Sequence, residues 1–169
     1  IVKRSIEKMF VILPFEVAVY KKHNYDADYV GHPLLDAIEQ EKSKLPTIED
    51  FTLENKLGDK PIIAVLPGSR KQEIERMLSI MLNVVGDFQD YQFVIAGTTN
   101  LPKEAYSNAI QMGIKVVFNQ TYALMQHAHA GIIKSGTSTL ESALFRLPQV
   151  VCYKGGAVSY SIARLVVGN

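Results

Sequence analysis

The sequence has 169 residues and a mass of 18.8 kDa, the size of one domain or of a small domain with an appendage. Hydrophobic residues make up 47% and charged residues 21%, enough apolar side chain for a buried core and the wrong balance for a disordered chain. The net charge of +1 gives no electrostatic case for nucleic acid, the single Cys152 excludes an internal disulfide and a cysteine zinc site, and no apolar run reaches the length of a membrane span.

The chain opens IVKRSIEK, without a signal-peptide core, and a first residue of Ile rather than Met reads as part of something longer. FVILP (10–14) predicts a strand stopped by Pro14, and FEVAVYKKH (15–23) a helix. DYVGHP (28–33) predicts a short strand ending in a turn, and LLDAIEQEK (34–42) a helix. The polar stretch 42–60, with Pro46 and Gly58 as breakers, reads as a surface connection, partly helical. These first elements fit the tail of a preceding domain, so we place a boundary between an interdomain part, 1–35, and a second domain, 36–169.

From Pro61 onward short apolar runs alternate with amphipathic stretches. IIAVL (62–66) predicts a strand ending at Pro67-Gly68. Ile74, Met77, Leu78, Met81, Leu82 and Val85 then recur at the spacing of one helix face. QFVIAG (92–97), KVVF (115–118), AGIIK (130–134) and QVVCY (149–153) predict further strands. Between them fall helices at 103–112, closed by Gly113, at 122–128 and at 137–146, with a last one in VSYSIARLVV. A βα unit repeated five times, with strands this short and apolar, predicts an α/β fold: a Rossmann-like parallel sheet with helices on both faces. Ligands on such sheets bind beyond the carboxyl ends of the strands, in the loops that enter helices.

Two of those loops carry chemistry. Leu66-Pro67-Gly68-Ser69-Arg70 sits at a strand-to-helix turn. Gly68 permits close backbone approach, Ser69 offers donors at a helix start, and Arg70 supplies a fixed cationic fork suited to phosphate. Lys134-Ser135-Gly136-Thr137-Ser138-Thr139-Leu140-Glu141 occupies the equivalent place after a later strand. Ser135, Gly136 and Thr137 offer donors to a diphosphate, and Glu141 a carboxylate for a sugar diol. Each loop also has a plainer reading as a helix cap, Ser69 with Gln72 and Ser138 with Glu141. A third candidate is His32, beside Pro33 in a turn, which would either polarise a ligand or cap a loop. His127 and His129 do not share a helix face and have no neighbouring acid or Cys, so no metal site is predicted.

The charge distribution points the same way. Residues 1–60 carry nine Lys/Arg and eleven Asp/Glu, while 61–169 carry nine and six. After Glu104 the sole acid is Glu141, set against Lys115, Lys134, Arg146, Lys154 and Arg164, a field suited to a small polyanion. No Walker loop, dinucleotide fingerprint, nucleophile elbow or RNA-binding motif is present.

ILPFE (12–16), VGHPLLD (30–36), LPGSRKQEI (66–74) and KSGTSTLE (134–141), in this order, resemble the lipid-A-disaccharide synthase family of GT-B glycosyltransferases, over nearly the whole chain. The resemblance implies the carboxyl-terminal, UDP-holding domain of an inverting hexosyltransferase of lipid A biosynthesis in Gram-negative bacteria. Such an enzyme passes 2,3-diacylglucosamine from its UDP-sugar to 2,3-diacylglucosamine 1-phosphate and releases UDP. It works at the cytoplasmic face of the inner membrane, without a cofactor and without a metal in the catalytic step. It implies Gly68, Ser69 and Arg70 at the diphosphate, with Arg70 stabilising the leaving group, Ser135, Gly136 and Thr137 as further donors, Glu141 at the ribose, and His32 near the cleft between domains. Against the family pattern the amino-terminal domain is missing, with its acceptor surface and general base, and so is the last segment. The chain alone is therefore expected to be inactive. A UDP-N-acetylglucosamine 2-epimerase-like enzyme is an alternative, disfavoured by the scarcity of acids after Glu104. A non-enzymatic phosphate- or partner-binding α/β module is another. The final stretch, with Val158, Ile162, Leu165 and Val166 beside Arg164, is expected to face the core, a peripheral membrane contact being the alternative.

Overall fold

A computed structural model describes residues 5–154. The helix expected at the end of the chain lies outside them. The chain divides into two compact units, Ile1–Lys44 and Leu45–Asn169.

In the first unit, strand β1 (Phe10–Val11) pairs in parallel with β2 (Asp28–Tyr29), Phe10 opposite Asp28. β1 stops two residues short of the strand expected to reach Pro14. The Ile12 and Leu13 N–H groups turn away to the Glu16 carboxylate, at 3.2 and 2.8 Å, and open helix α1 (Pro14–Lys22). Pro14 thus begins the helix, where its missing N–H costs nothing. After β2 the chain turns through Gly31, at φ +85°, into helix α2 (Pro33–Lys42). α2 runs unbroken through residue 35, the end of the interdomain part as read from the sequence, and belongs whole to the first unit.

The second unit is one parallel sheet. Its strands are β3 (Ile62–Leu66), β4 (Gln92–Gly97), β5 (Lys115–Phe118), β6 (Ala130–Lys134) and β7 (Gln149–Cys152), in the order β5-β4-β3-β6-β7. Period-two alternation divides β3 between two cores. Ile62, Ala64 and Leu66 join a cluster with Phe51 and Leu124, while Val65 joins Ile74, Met77 and Met81. The last three belong to helix α4 (Lys71–Leu82), whose buried residues are five of the six apolar positions predicted from spacing. The sixth, Val85, falls in a following single turn of 3₁₀ helix, Val85–Asp87.

Two expectations need correction. The polar stretch 42–60 is partly helical as expected, but it also reaches the core rather than staying on the surface. It holds helix α3 (Ile48–Asn55), capped by Thr47 Oγ1 on the Asp50 N–H at 3.1 Å and ended by Lys56 at φ +51°. α3 buries Phe51 completely in the first cluster. One large aromatic among charged neighbours gives little periodicity to read, yet it suffices to fix the helix on a core. The helix expected over 103–112 is a 3₁₀ turn, Lys103–Tyr106, running into α5 (Ser107–Gln111). Tyr106 is fully buried there, and its hydroxyl accepts the Thr98 N–H at 3.0 Å, fixing the chain just after β4.

Phe51→Ala is expected to destabilise the protein by about 3–5 kcal/mol, as for other buried aromatic truncations. Leu53→Ala, on the 80% exposed residue of the same helix, should change stability by no more than about 0.5 kcal/mol. Urea unfolding of both variants checks this, and equal losses would show that α3 does not rest on Phe51.

Candidate functional site

The order of the strands places the site. From β3 the chain moves outward through β4 to β5, then returns to lay β6 on the other side of β3. The loops leaving β3 and β6 therefore diverge above adjacent strands, with Leu66 opposite Ile133 in register. Such a reversal opens a crevice at the carboxyl ends of the strands. Here it holds a polar cleft of about 480 Å³. The β3 loop contributes Gly68, Ser69, Arg70 and Glu73; the β6 loop contributes Lys134, Gly136, Thr137 and Ser138. Gly97 and Thr98 after β4, with Asn119 and Thr121 beyond β5, complete the lining.

Glycine is required twice. Gly68 has φ +108°, and a Cβ there would stand 2.4 Å from Glu73 Oε2. Gly97 ends β4 beside Phe118, where a Cβ would come within 2.7 Å of the ring. Gly68 keeps the β3 loop bare at the cleft, whereas Gly97 is buried and makes room for the Phe118 and Val116 side chains of the next strand.

The first motif is organised by Glu73, in the first turn of α4. Ser69 and Gln72 do not form the cap. The Glu73 carboxylate does, accepting the Ser69 N–H at 3.1 Å and the Arg70 N–H at 3.4 Å through Oε2. Its Oε1 meets Lys134 Nζ at 2.9 Å, so a single carboxylate ties the two motif loops together. The Lys134 ammonium, aided by the two N–H groups, holds Glu73 below the usual carboxylate range although partial burial opposes it. Arg70 is exposed at the cleft and has no ion-pair partner among the described residues.

The second motif opens helix α7 (Thr137–Leu144) from Gly136, and among the described residues no side-chain hydrogen bond caps that start. The cap expected of Ser138 with Glu141 is not formed. Ser138 is already helical, and Glu141 instead accepts a hydrogen bond from the Tyr122 hydroxyl at 3.0 Å. Tyr122 lies on helix α6 (Thr121–His127). Glu141 is half-buried and does not line the cleft. Ser135 stands apart as well: its N–H is spent on the Cys152 carbonyl at 2.8 Å, so that donor, expected to face a diphosphate, belongs to the sheet.

His32 belongs to the first unit, where its Nδ1 caps α2 by accepting the Leu34 N–H at 3.2 Å. His127 Nε2 is 2.8 Å from the Pro46 carbonyl, and His129 rests against the Tyr91 ring. Among the described residues no three His, Cys, Asp or Glu side chains are gathered as for a metal ion. Among the same residues no helix is long and apolar enough to cross a membrane.

The cleft therefore unites Gly68, Ser69, Arg70, Gly136 and Thr137 from the sequence candidates and adds Glu73, Lys134, Gly97, Thr98 and Asn119. Lys134 and Glu73 carried a signal, since both lie inside the two motifs. Asn119, at φ +56°, signals only that a turn follows β5.

The sequence matches the family described as lipid-A-disaccharide synthetase over residues 1–168. It is 35% identical to a lipid-A-disaccharide synthase of Syntrophus aciditrophicus, covering 96% of this chain and 44% of that protein. It is 34% identical to one of Francisella philomiragia, covering 98% and 46%, and 37% identical to lipid-A-disaccharide synthase 1 of Legionella pneumophila, covering 96% and 44%. The chain thus spans less than half the length of these relatives.

Glu73→Gln is expected to cost about 1 kcal/mol near neutral pH. The folded-state pKa of Glu73 is depressed, so its contribution is present above the unfolded carboxyl pKa and is lost as pH falls through the lower, folded value. Urea melts of parent and variant at about pH 7 and about pH 3 should show a gap that closes in acid. A gap independent of pH would remove the charge of Glu73 from the account.

Proposed function

The chain belongs to the lipid-A-disaccharide synthetase family, and we propose that it is the part of such an enzyme that holds the nucleotide-sugar donor. The observation that carries this reading is the meeting of LPGSR and KSGTS in one polar cleft at the strand-order reversal. The relatives bear the synthase name, so the epimerase-like alternative is not favoured.

On this reading the donor is UDP-2,3-diacylglucosamine, the acceptor is 2,3-diacylglucosamine 1-phosphate, and UDP leaves as the new glycosidic bond forms with inversion. Breaking the sugar–phosphate bond builds negative charge on the diphosphate. Arg70, which has no ion-pair partner among the described residues, meets that charge with its guanidinium, a contact worth most where it strengthens in the transition state. Gly136 and Thr137 line the cleft at the start of α7, and the N–H groups there add favourable dipoles. Gly68 leaves the β3 loop bare for the phosphate oxygens. Ser69 lines the cleft beside it and offers its hydroxyl, its N–H being held by Glu73.

Glu141 is the ribose ligand of this proposal, and its place behind the lining makes Tyr122 its support. The hydroxyl bond fixes one carboxylate oxygen and leaves the other for a diol. The chemistry asks for no metal or cofactor, because Arg70 and the helix start supply the positive charge. Acceptor binding and the general base fall, on this reading, to the part of the relatives that does not align with this chain. A lipid acceptor places the reaction at the cytoplasmic face of a membrane, with peripheral rather than spanning contact.

Calorimetric titration with UDP is the test. UDP is expected to bind saturably and AMP not to match it. Arg70→Ala should weaken UDP on the order of tenfold, the scale of one charge-assisted phosphate contact. Glu141→Ala should weaken UDP but leave inorganic pyrophosphate unaffected. Equal binding of UDP and AMP by the folded protein, or indifference to Arg70→Ala, would overturn the reading.

A further inference from the structure

Lys134 is the last residue of β6 and lines the cleft beside Gly136, where a Cβ would lie 3.8 Å from Nζ. Its side chain is 26% exposed, and its ammonium is bound to Glu73 alone among the described acids. Glu73 in turn gathers three donors: the Ser69 and Arg70 N–H groups and the Lys134 ammonium. Two backbone N–H groups and an ammonium closing on a pair of oxygens is the donor set of a phosphate site. Here a carboxylate of the protein's own, Glu73, fills it.

We propose that Lys134 is a second cation of the diphosphate site, alongside Arg70, and that Glu73 is its resident counter-ion until a diphosphate draws it away. This rests on the nucleotide-sugar reading and adds a binding residue to it. The exchange is physically direct. The Lys134 stem has four methylene groups and three freely rotating donors, so the ammonium reaches a new partner without backbone movement. Glu73 keeps its two N–H bonds, and the helix start of α4 stays capped. A diphosphate offers more charge than one carboxylate, so it wins the ammonium despite the resident pair. Glu73 also lowers affinity, because its own charge stands at the rim of an anion site. Lys134 therefore works for binding and Glu73 against it.

The competing account is that Lys134 only neutralises Glu73. The two differ in what ligand affinity does. The test is calorimetry with inorganic pyrophosphate and with UDP on the parent protein, Lys134→Met, Lys134→Arg and Glu73→Gln, each shown folded by circular dichroism. Lys134→Met should weaken pyrophosphate on the order of tenfold, Lys134→Arg should restore most of it, and Glu73→Gln should strengthen it several-fold. Unchanged affinity in Lys134→Met, weaker binding in folded Glu73→Gln, or no pyrophosphate binding by the parent would each overturn the proposal. If Glu73→Gln does not fold, the methionine and arginine variants decide, since neither touches the Ser69 and Arg70 cap. Pyrophosphate affinities that follow this pattern while UDP binds no better than pyrophosphate would uphold Lys134 and overturn only the nucleotide reading.

Discussion

The reversal of strand order at β3 is the constraint on which the site depends. Parallel strands need long right-handed crossovers, and each crossover carries a helix to one face of the sheet. As long as the chain moves outward, from β3 to β4 to β5, successive loops bend the same way. When it returns to place β6 against β3, the loops on the two sides bend apart and leave a crevice that no short side chain closes. The register fixes the rest: Leu66 lies opposite Ile133, so Gly68 and Lys134 emerge on the same rim. Sixty residues of sequence separate two motifs that the sheet brings together.

That constraint explains which parts were legible in the sequence. The alternation of short apolar runs with helix-spaced stretches is a consequence of strands covered on both faces, and it located β3 to β7 to within a residue or two. The faces were legible for the same reason: α4 buries Ile74, Met77, Leu78, Met81 and Leu82 against the sheet. What spacing could not show was an element resting on a single residue. α3 is fixed by Phe51 amid acids and polar side chains, and β1 ends where Glu16 captures two N–H groups that a longer strand would have used. Both are tertiary or side-chain effects that override local pattern.

The site shows the same division. The residue types in LPGSR and KSGTS identified two loops suited to phosphate, but the partners were set by geometry. The cap at α4 comes from Glu73, three residues into the helix from the Arg70 cap position, rather than from Ser69 with Gln72. Ser135 lies inside its motif, yet its N–H completes the sheet with Cys152. Tyr122 had no signal as a partner of Glu141, since the two lie nineteen positions apart with a strand between them. A motif names chemically able residues; whether a donor faces solvent or the sheet depends on the last hydrogen bond of the neighbouring strand.

The two helix starts bear on whether these loops are caps or ligand sites, and they answer differently. At α4 a carboxylate satisfies the Ser69 and Arg70 N–H groups, so that start needs nothing further. At α7 no side chain among the described residues performs this service: Thr139 Oγ1 donates back to the Gly136 carbonyl, and Glu141 accepts from Tyr122. At an N-cap Gly trails Ser by only a few tenths of a kcal/mol, so a start at Gly136 gives up about that much stability. Such a concession is expected where the donors serve an incoming anion. Among the described residues the α4 start holds a carboxylate and the α7 start holds none, and Arg70 has no ion-pair partner at the rim of the cleft between them. The diphosphate we propose has two phosphoryl groups, and on that reading one would take the start of α7 while the other contends with Glu73 for the ammonium that bridges the loops.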